Sequence, residues 1–149
     1  MTDLPELHLE PGQVYANSAQ WPKAETEFRA DTKLQPGKAE AAYRLGAALL
    51  QQGKASNALP ELKRANQVKP EMPETLYSLG KAASLAGDSA TAEKAWLKVV
   101  EFEKGTSLAA QAHFGLAGLY RKQGKAEQAR REMQEFQKLQ NTIGPPRSE

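Results

Sequence analysis

The stretch YRLGAALLQQGK (43–54) decides how this chain is read. Its apolar residues recur at helical spacing, and Gly53 stands where a helix would end. Gly46 sits mid-helix, where glycine costs roughly 1 kcal/mol relative to alanine. The pattern then returns. YSLGKAASLAGD (77–88) repeats it 34 residues later, and FGLAGLYRKQGK (114–125) repeats it 37 residues after that. LEPGQVYANSAQ (9–20) is a weaker copy upstream.

Each copy is followed by a second matched segment: WPKAETEFRADTKLQP, ASNALPELKRANQVKP, SATAEKAWLKVVEFEK and AEQARREMQEFQKLQN. Ala24, Ala58, Ala92 and Ala129 share a column. Phe28, Leu62, Trp96 and Met133 lie one helical turn further along the same face. On the first helix, Leu45, Leu79 and Leu116 share a column, followed directly by Gly12, Gly46, Gly80 and Ala117. Gly53, Gly87 and Gly124 mark the junction of the two helices, where glycine takes the left-handed conformation. Pro36 and Pro70 close the first two units. The repeating unit is therefore helix–turn–helix, about 34 residues long.

Spacing of small residues, bulky partner and closing proline resembles the tetratricopeptide repeat (TPR) family over roughly residues 11–140. The fold expected is all-α, an α-solenoid of antiparallel helix pairs. The resemblance implies a right-handed superhelix. The units read as 11–36 (degenerate), 39–72, 73–109 and 110–141, between an irregular segment 1–10 and a polar tail 142–149. Close packing explains Gly46: a side chain larger than methyl would push the two helices apart.

Departures from the pattern carry their own expectations. Pro11 predicts a short first helix beginning near that residue. Pro60 predicts a bend or a late start in the second helix of its unit. The three extra residues of the third unit suggest a longer helix ending at Gly105, with Thr106 or Ser107 capping the next. Arg130, Gln134 and Gln137 replace Glu93, Leu97 and Val100, a polar face that predicts the natural end of the array, with Ile143 folding back onto its edge.

Composition excludes several functions. The chain has 149 residues, no cysteine and a net charge of +2, so thiol chemistry is absent and nothing draws it to nucleic acid or membrane. No apolar run is long enough to span a bilayer. Residues 1–12 lack the basic and apolar regions of a secretion signal. A cytoplasmic address is the default expectation, unless the chain is a piece of a larger exported protein. The two histidines, His8 and His113, are far apart in sequence, and the three aspartates are Asp3, Asp31 and Asp88. No HExxH, GxSxG or phosphate-cradling motif occurs, so no catalytic residue, metal or cofactor is expected. His113 falls in a column with Ala42 and Leu76 and reads as a packing residue.

Function in a solenoid comes from shape, and the first helix of each pair lines the concave face. The candidate groove residues are Tyr43, Arg44, Ala47, Leu50, Tyr77, Lys81, Ser84, Phe114, Arg121 and Lys122. Tyr43, Tyr77 and Phe114 form an aromatic row suited to anchoring a peptide. Members of the TPR family often carry an aromatic there, so the repeat pattern alone could account for the row. Some members grip an acidic C-terminal tail with a Lys, Asn and Arg clamp. Here Gln13, Ala47 and Lys81 stand where asparagine would be wanted, so that mode is not expected. Glu6, Glu40 and Glu74 fall near helix N-termini and read as structural.

Charge is uneven along the chain. Residues 1–38 carry 4 basic and 6 acidic side chains, whereas 107–149 carry 7 and 4. The primary expectation is a non-enzymatic scaffold or adaptor that binds a peptide or helical segment of a partner protein. A self-associating scaffold, pairing acidic front with basic back, is the alternative. Single-stranded RNA binding is a third class, and the near-neutral charge argues against it.

Overall fold

Helices form where apolar residues recur every third or fourth position, and they stop at the glycine and proline junctions. The computed structural model describes the backbone of residues 9–143 and the side chains of 11–142. Among the described residues eight helices follow one another: α1 (Leu9–Asn17), α2 (Trp21–Leu34), α3 (Ala39–Gln51), α4 (Ala55–Val68), α5 (Pro73–Leu85), α6 (Ser89–Phe102), α7 (Ser107–Lys122) and α8 (Ala126–Ile143). No strand occurs among the described residues. Neighbours in sequence pack as antiparallel pairs, α1 with α2 through α7 with α8, and each pair stacks on the next. The result is an all-α solenoid.

Curvature follows from which helices meet across pairs. α3 touches α5 and α5 touches α7, while α2, α4 and α6 make no comparable contact with one another. The first helices are crowded together and the second helices splay apart. The face built from α3, α5 and α7 is therefore the concave one.

Glycine permits the close approach within pairs. A Cβ built on Gly46 would lie 2.6 Å from Leu62 Cγ, and one on Gly80 would lie 2.6 Å from Trp96 Cδ1. Gly12 stands in the same relation to Phe28, with 2.7 Å to Cδ1. Leu62 is wholly buried and Trp96 nearly so. The limit is stricter than the sequence suggested, because even a methyl group collides. In the fourth unit Ala117 takes this column and is buried all the same. The large residue of that unit is Met133, an unbranched chain that can yield.

The turns inside the second, third and fourth units are alike. Gly53, Gly87 and Gly124 have φ of 75°, 89° and 75°. The next residue donates its N–H back across the turn, Lys54 to Leu49 O (2.9 Å), Asp88 to Ala83 O (2.7 Å) and Lys125 to Tyr120 O (2.9 Å). In the first unit Gln20 donates to Tyr15 O (2.8 Å), but Ala19 holds the turn at φ 58°. A Cβ is disfavoured in that conformation. Asp88 accepts from Thr91 N (3.2 Å) to cap α6, and Thr106 accepts from Ala109 N (3.1 Å) to cap α7.

Four expectations need correction. α6 does not lengthen to Gly105. It ends at Phe102, as α2 ends at Leu34 and α4 at Val68. The first helices begin at Ala39, Pro73 and Ser107, so the 34-residue spacing persists and the three extra residues lie in α7. Residues 107–109, read as the close of the third unit, form its first turn. Of the bend or late start expected at Pro60, the late start is absent, since α4 begins at Ala55 and continues past it. Pro60 lies about a turn and a half into α4, so the helix forgoes the one main-chain bond that a residue there would make to the Ser56 carbonyl and continues on its packing. The first helix starts at Leu9, two residues before Pro11. The rest of segment 1–10, with Glu6 and His8, and the tail beyond Ile143 lie outside the described residues.

The first two units are tied together by Glu25 on α2. It accepts from Arg29 (2.9 Å), Gln52 (2.9 Å) and Lys54 (3.2 Å), the last two from the α3–α4 junction. Arg29 above all, helped by Gln52 and Lys54, outweighs desolvation and holds the Glu25 carboxyl at about 2. Farther along, the Tyr120 hydroxyl donates to Glu93 (2.8 Å), and burial followed by this bond pushes its phenol upward.

Candidate functional site

On the concave face α5 and α7 flank an open apolar cavity of about 240 Å3. Its floor is the Trp96 indole, which reaches from α6 between the two first helices. Gly80 admits the pyrrole side and Gly115 the benzo side, where an added Cβ would lie 2.8 Å from Cη2. The indole Nε1–H donates to the Tyr77 carbonyl oxygen (3.1 Å), which fixes the ring. Tyr77 stands beside it with ring centroids 6.4 Å apart. Leu85, Phe114 and Leu119 complete the apolar lining, and Lys81, Ser84 and Lys122 supply polar groups.

The cavity exists because α7 carries a second glycine. Among the described residues nothing lies within 4 Å of the position a Cβ on Gly118 would take. Ala47 and Lys81 occupy this column in the preceding units. Two large apolar residues at the cavity remain open to solvent, Leu85 at 62% and Phe114 at 54%. Phe114 rests against Phe136 of α8, with centroids 5.1 Å apart. Among the described residues no carboxylate pairs with Lys81 or Lys122. Burial raises the Tyr77 phenol above its ordinary value.

The ten residues expected in the groove do not form one site. Tyr77, Lys81, Ser84, Phe114 and Lys122 meet at this cavity. Tyr43, Arg44 and Ala47 line a depression of about 140 Å3 with Gln13, Ala16, Trp21 and Phe28, and Tyr43 and Arg44 also border a hollow of about 430 Å3 with Lys38, Glu40, Lys69 and Glu74. Arg44 is engaged there, donating to Glu40 (2.8 Å) and to Gln13. Burial also raises the Tyr43 phenol, against a hydrogen bond with Ser78. Leu50 packs on the core and Arg121 is exposed to solvent, and neither borders these hollows. Trp96, Leu85, Gly115 and Leu119 were missed. The signal for Trp96 was its size, since an indole overfills a column that holds Leu62 and Phe28.

His113 is half-buried, its Nδ1 2.6 Å from Glu132 Oε1. Among the described residues no group of His, Asp or Glu is placed to hold a metal ion. Nor is any of their helices long and apolar enough to cross a membrane.

A family model described as tetratricopeptide repeat matches residues 9–73 and 77–142. The chain belongs to the tetratricopeptide repeat family. Among solved structures, a MamA from Desulfovibrio magneticus RS-1 is 24% identical over 95% of this TPR chain and 78% of its own, with a TM-score of 0.86. YrrB, described as a TPR protein with an unusual peptide-binding site, is 20% identical over 93% of this chain and 70% of its own, with a TM-score of 0.84. At these identities the two structures speak for the TPR fold alone. No curated sequence matches the chain.

Proposed function

We propose that this TPR chain is a non-enzymatic interaction module that holds a segment of a partner protein, extended or helical, along the face of α3, α5 and α7. Supporting this reading above all is the open apolar cavity between α5 and α7, with Leu85 and Phe114 exposed at its edge. Large apolar side chains left in solvent within a concavity are better explained by a partner than by packing. The peptide-binding site of YrrB, on the same fold, agrees with it. The proposed contacts are Tyr77, Lys81, Ser84, Phe114 and Lys122, with Tyr43, Arg44 and Ala47 further along the same face.

The test is to replace Tyr43, Tyr77 and Phe114 with alanine and to measure partner capture after crosslinking. Lost capture with unchanged helicity is expected. Unchanged capture by a folded triple variant defeats the groove. Self-association is the second reading, drawn from the exposed basic residues Arg121, Lys125 and Arg131 at one end of an array that begins acidic. Light scattering over a concentration series decides it, since a strict monomer eliminates that reading.

A further inference from the structure

We propose that the cavity between α5 and α7 takes one large apolar side chain, aromatic by preference, from a partner segment whose neighbouring residues are acidic. The proposal rests on the groove reading above and adds the chemistry of the occupant. Size, lining and charge each bear on it.

The cavity holds about 240 Å3. An apolar hollow of about 150 Å3 is enough for benzene, so one ring and its methylene fit. The lining offers Tyr77, Trp96 and Phe114, aromatic surfaces suited to the edge-to-face contacts that another aromatic ring prefers. The rim carries Lys81 and Lys122, and among the described residues no acidic side chain lines the hollow. Two ammonium groups without carboxylates, beside a water-poor surface, attract negative charge in an incoming chain. The depression near Tyr43 differs on this point, because Glu40 and Gln13 already hold Arg44. Nor is this the Lys, Asn and Arg clamp of the wider family, since the anchor is the apolar side chain and the lysines only select its neighbours.

Gly118 supplies a test that does not threaten the fold. Among the described residues nothing lies within 4 Å of its Cβ position, so the side chain of Gly118→Leu starts in the hollow and not in the packing between helices. The whole 15N-labelled chain is titrated with three blocked pentapeptides: Glu-Glu-Trp-Glu-Glu, Lys-Lys-Trp-Lys-Lys and Glu-Glu-Ala-Glu-Glu. The acidic tryptophan peptide should shift the amides of Gly115 and Gly118 and the Trp96 indole N–H. The basic peptide should bind roughly tenfold more weakly, about 1.4 kcal/mol. The alanine peptide should leave these signals in place. Gly118→Leu should abolish the shifts while melting no lower than the parent, and Lys81→Glu with Lys122→Glu should reverse the charge preference.

Equal affinity for the two tryptophan peptides overturns the acidic assignment. Shifts confined to Gln13 and Ala47 overturn the cavity and leave the groove reading standing. No shift with any peptide overturns the cavity as anchor, and the groove reading is then judged by the crosslinking result alone. Self-association that disappears in Gly118→Leu assigns the hollow to a second copy and overturns the peptide.

Discussion

The third and fourth units carry glycines at nearly matching places and use them in opposite ways. In the third, Gly80 faces α6, and the Trp96 indole fills the space its missing Cβ leaves. In the fourth, the glycine has moved one position on, to Gly118, and faces open space. Its former place holds Ala117, buried against the core. A one-residue shift turns a helix by about 100°, from the neighbouring helix toward the concave surface. One glycine closes a helix pair and the other opens a cavity. The two are also linked, because Trp96 passes Gly80 and ends on Gly115 of the next unit. The same indole is core to one unit and floor to the site.

Substitutions can break this contrast. The largest effect is expected for Gly46→Leu, whose side chain must displace wholly buried Leu62. Overpacking of this kind should cost about 3 kcal/mol, which lowers the melting temperature by roughly 6–12 °C in a chain of this size. An unchanged melting curve would undo the assignment of that column. Ala117→Gly should move the other way from the column's usual preference. The fourth unit already accommodates a methyl group, so glycine there brings only its helix penalty, about 1 kcal/mol. A gain in stability would show that Ala117 is strained.

Smaller effects sharpen the comparison at the first unit. Ala19 holds φ 58° where the later units have glycine. Ala19→Gly should therefore stabilise by about 0.5–1 kcal/mol, seen as a rise of a few degrees in melting temperature. A fall would place the strain elsewhere. The smallest effect concerns Glu25, whose carboxyl is held down, chiefly by Arg29, from 4.5 to about 2. A depressed carboxylate contributes stability above its unfolded value and loses it as pH falls toward its folded value. The contribution is therefore whole at neutral pH and disappears between pH 4.5 and about 2. Arg29 and Lys54 are both about half exposed, so its size is of the order of 0.5 kcal/mol. Glu25→Gln should trail the parent in urea melts at pH 7 and match it at pH 2. A constant gap across that range would remove the ionic explanation.

Most of the fold was legible because each repeat presents the same small residues to the same partners. Gly46 and Leu62, Gly53, Asp88 and Thr106 stand where their columns or flanking sequence placed them. The extra residues of the third unit were misplaced for a physical reason. Gly105 is a helix-ending residue and Thr106 a capping one, but neither says which of the flanking helices absorbs an insertion. Leu34, Val68 and Phe102, at constant spacing, would have shown that α6 keeps its length. The candidate site was half legible. Helical phase put Tyr77, Lys81 and Phe114 on one face. It could not show that these residues are shared among separate hollows, because the cavity at Tyr77 and Phe114 depends on Gly118 leaving a gap. Trp96 was hidden by its own column, which reads as core.

Thermal melting of Gly80→Ala, Gly118→Ala and the double variant tests most directly the claim that glycine register divides the interior from the groove. Gly80→Ala should melt lower by several degrees, since its methyl would lie 2.6 Å from a rigid indole. Gly118→Ala should melt higher, by the roughly 1 kcal/mol that alanine gains over glycine in a helix. The two effects should add in the double variant. Shifts of the same sign at both positions would contradict the account.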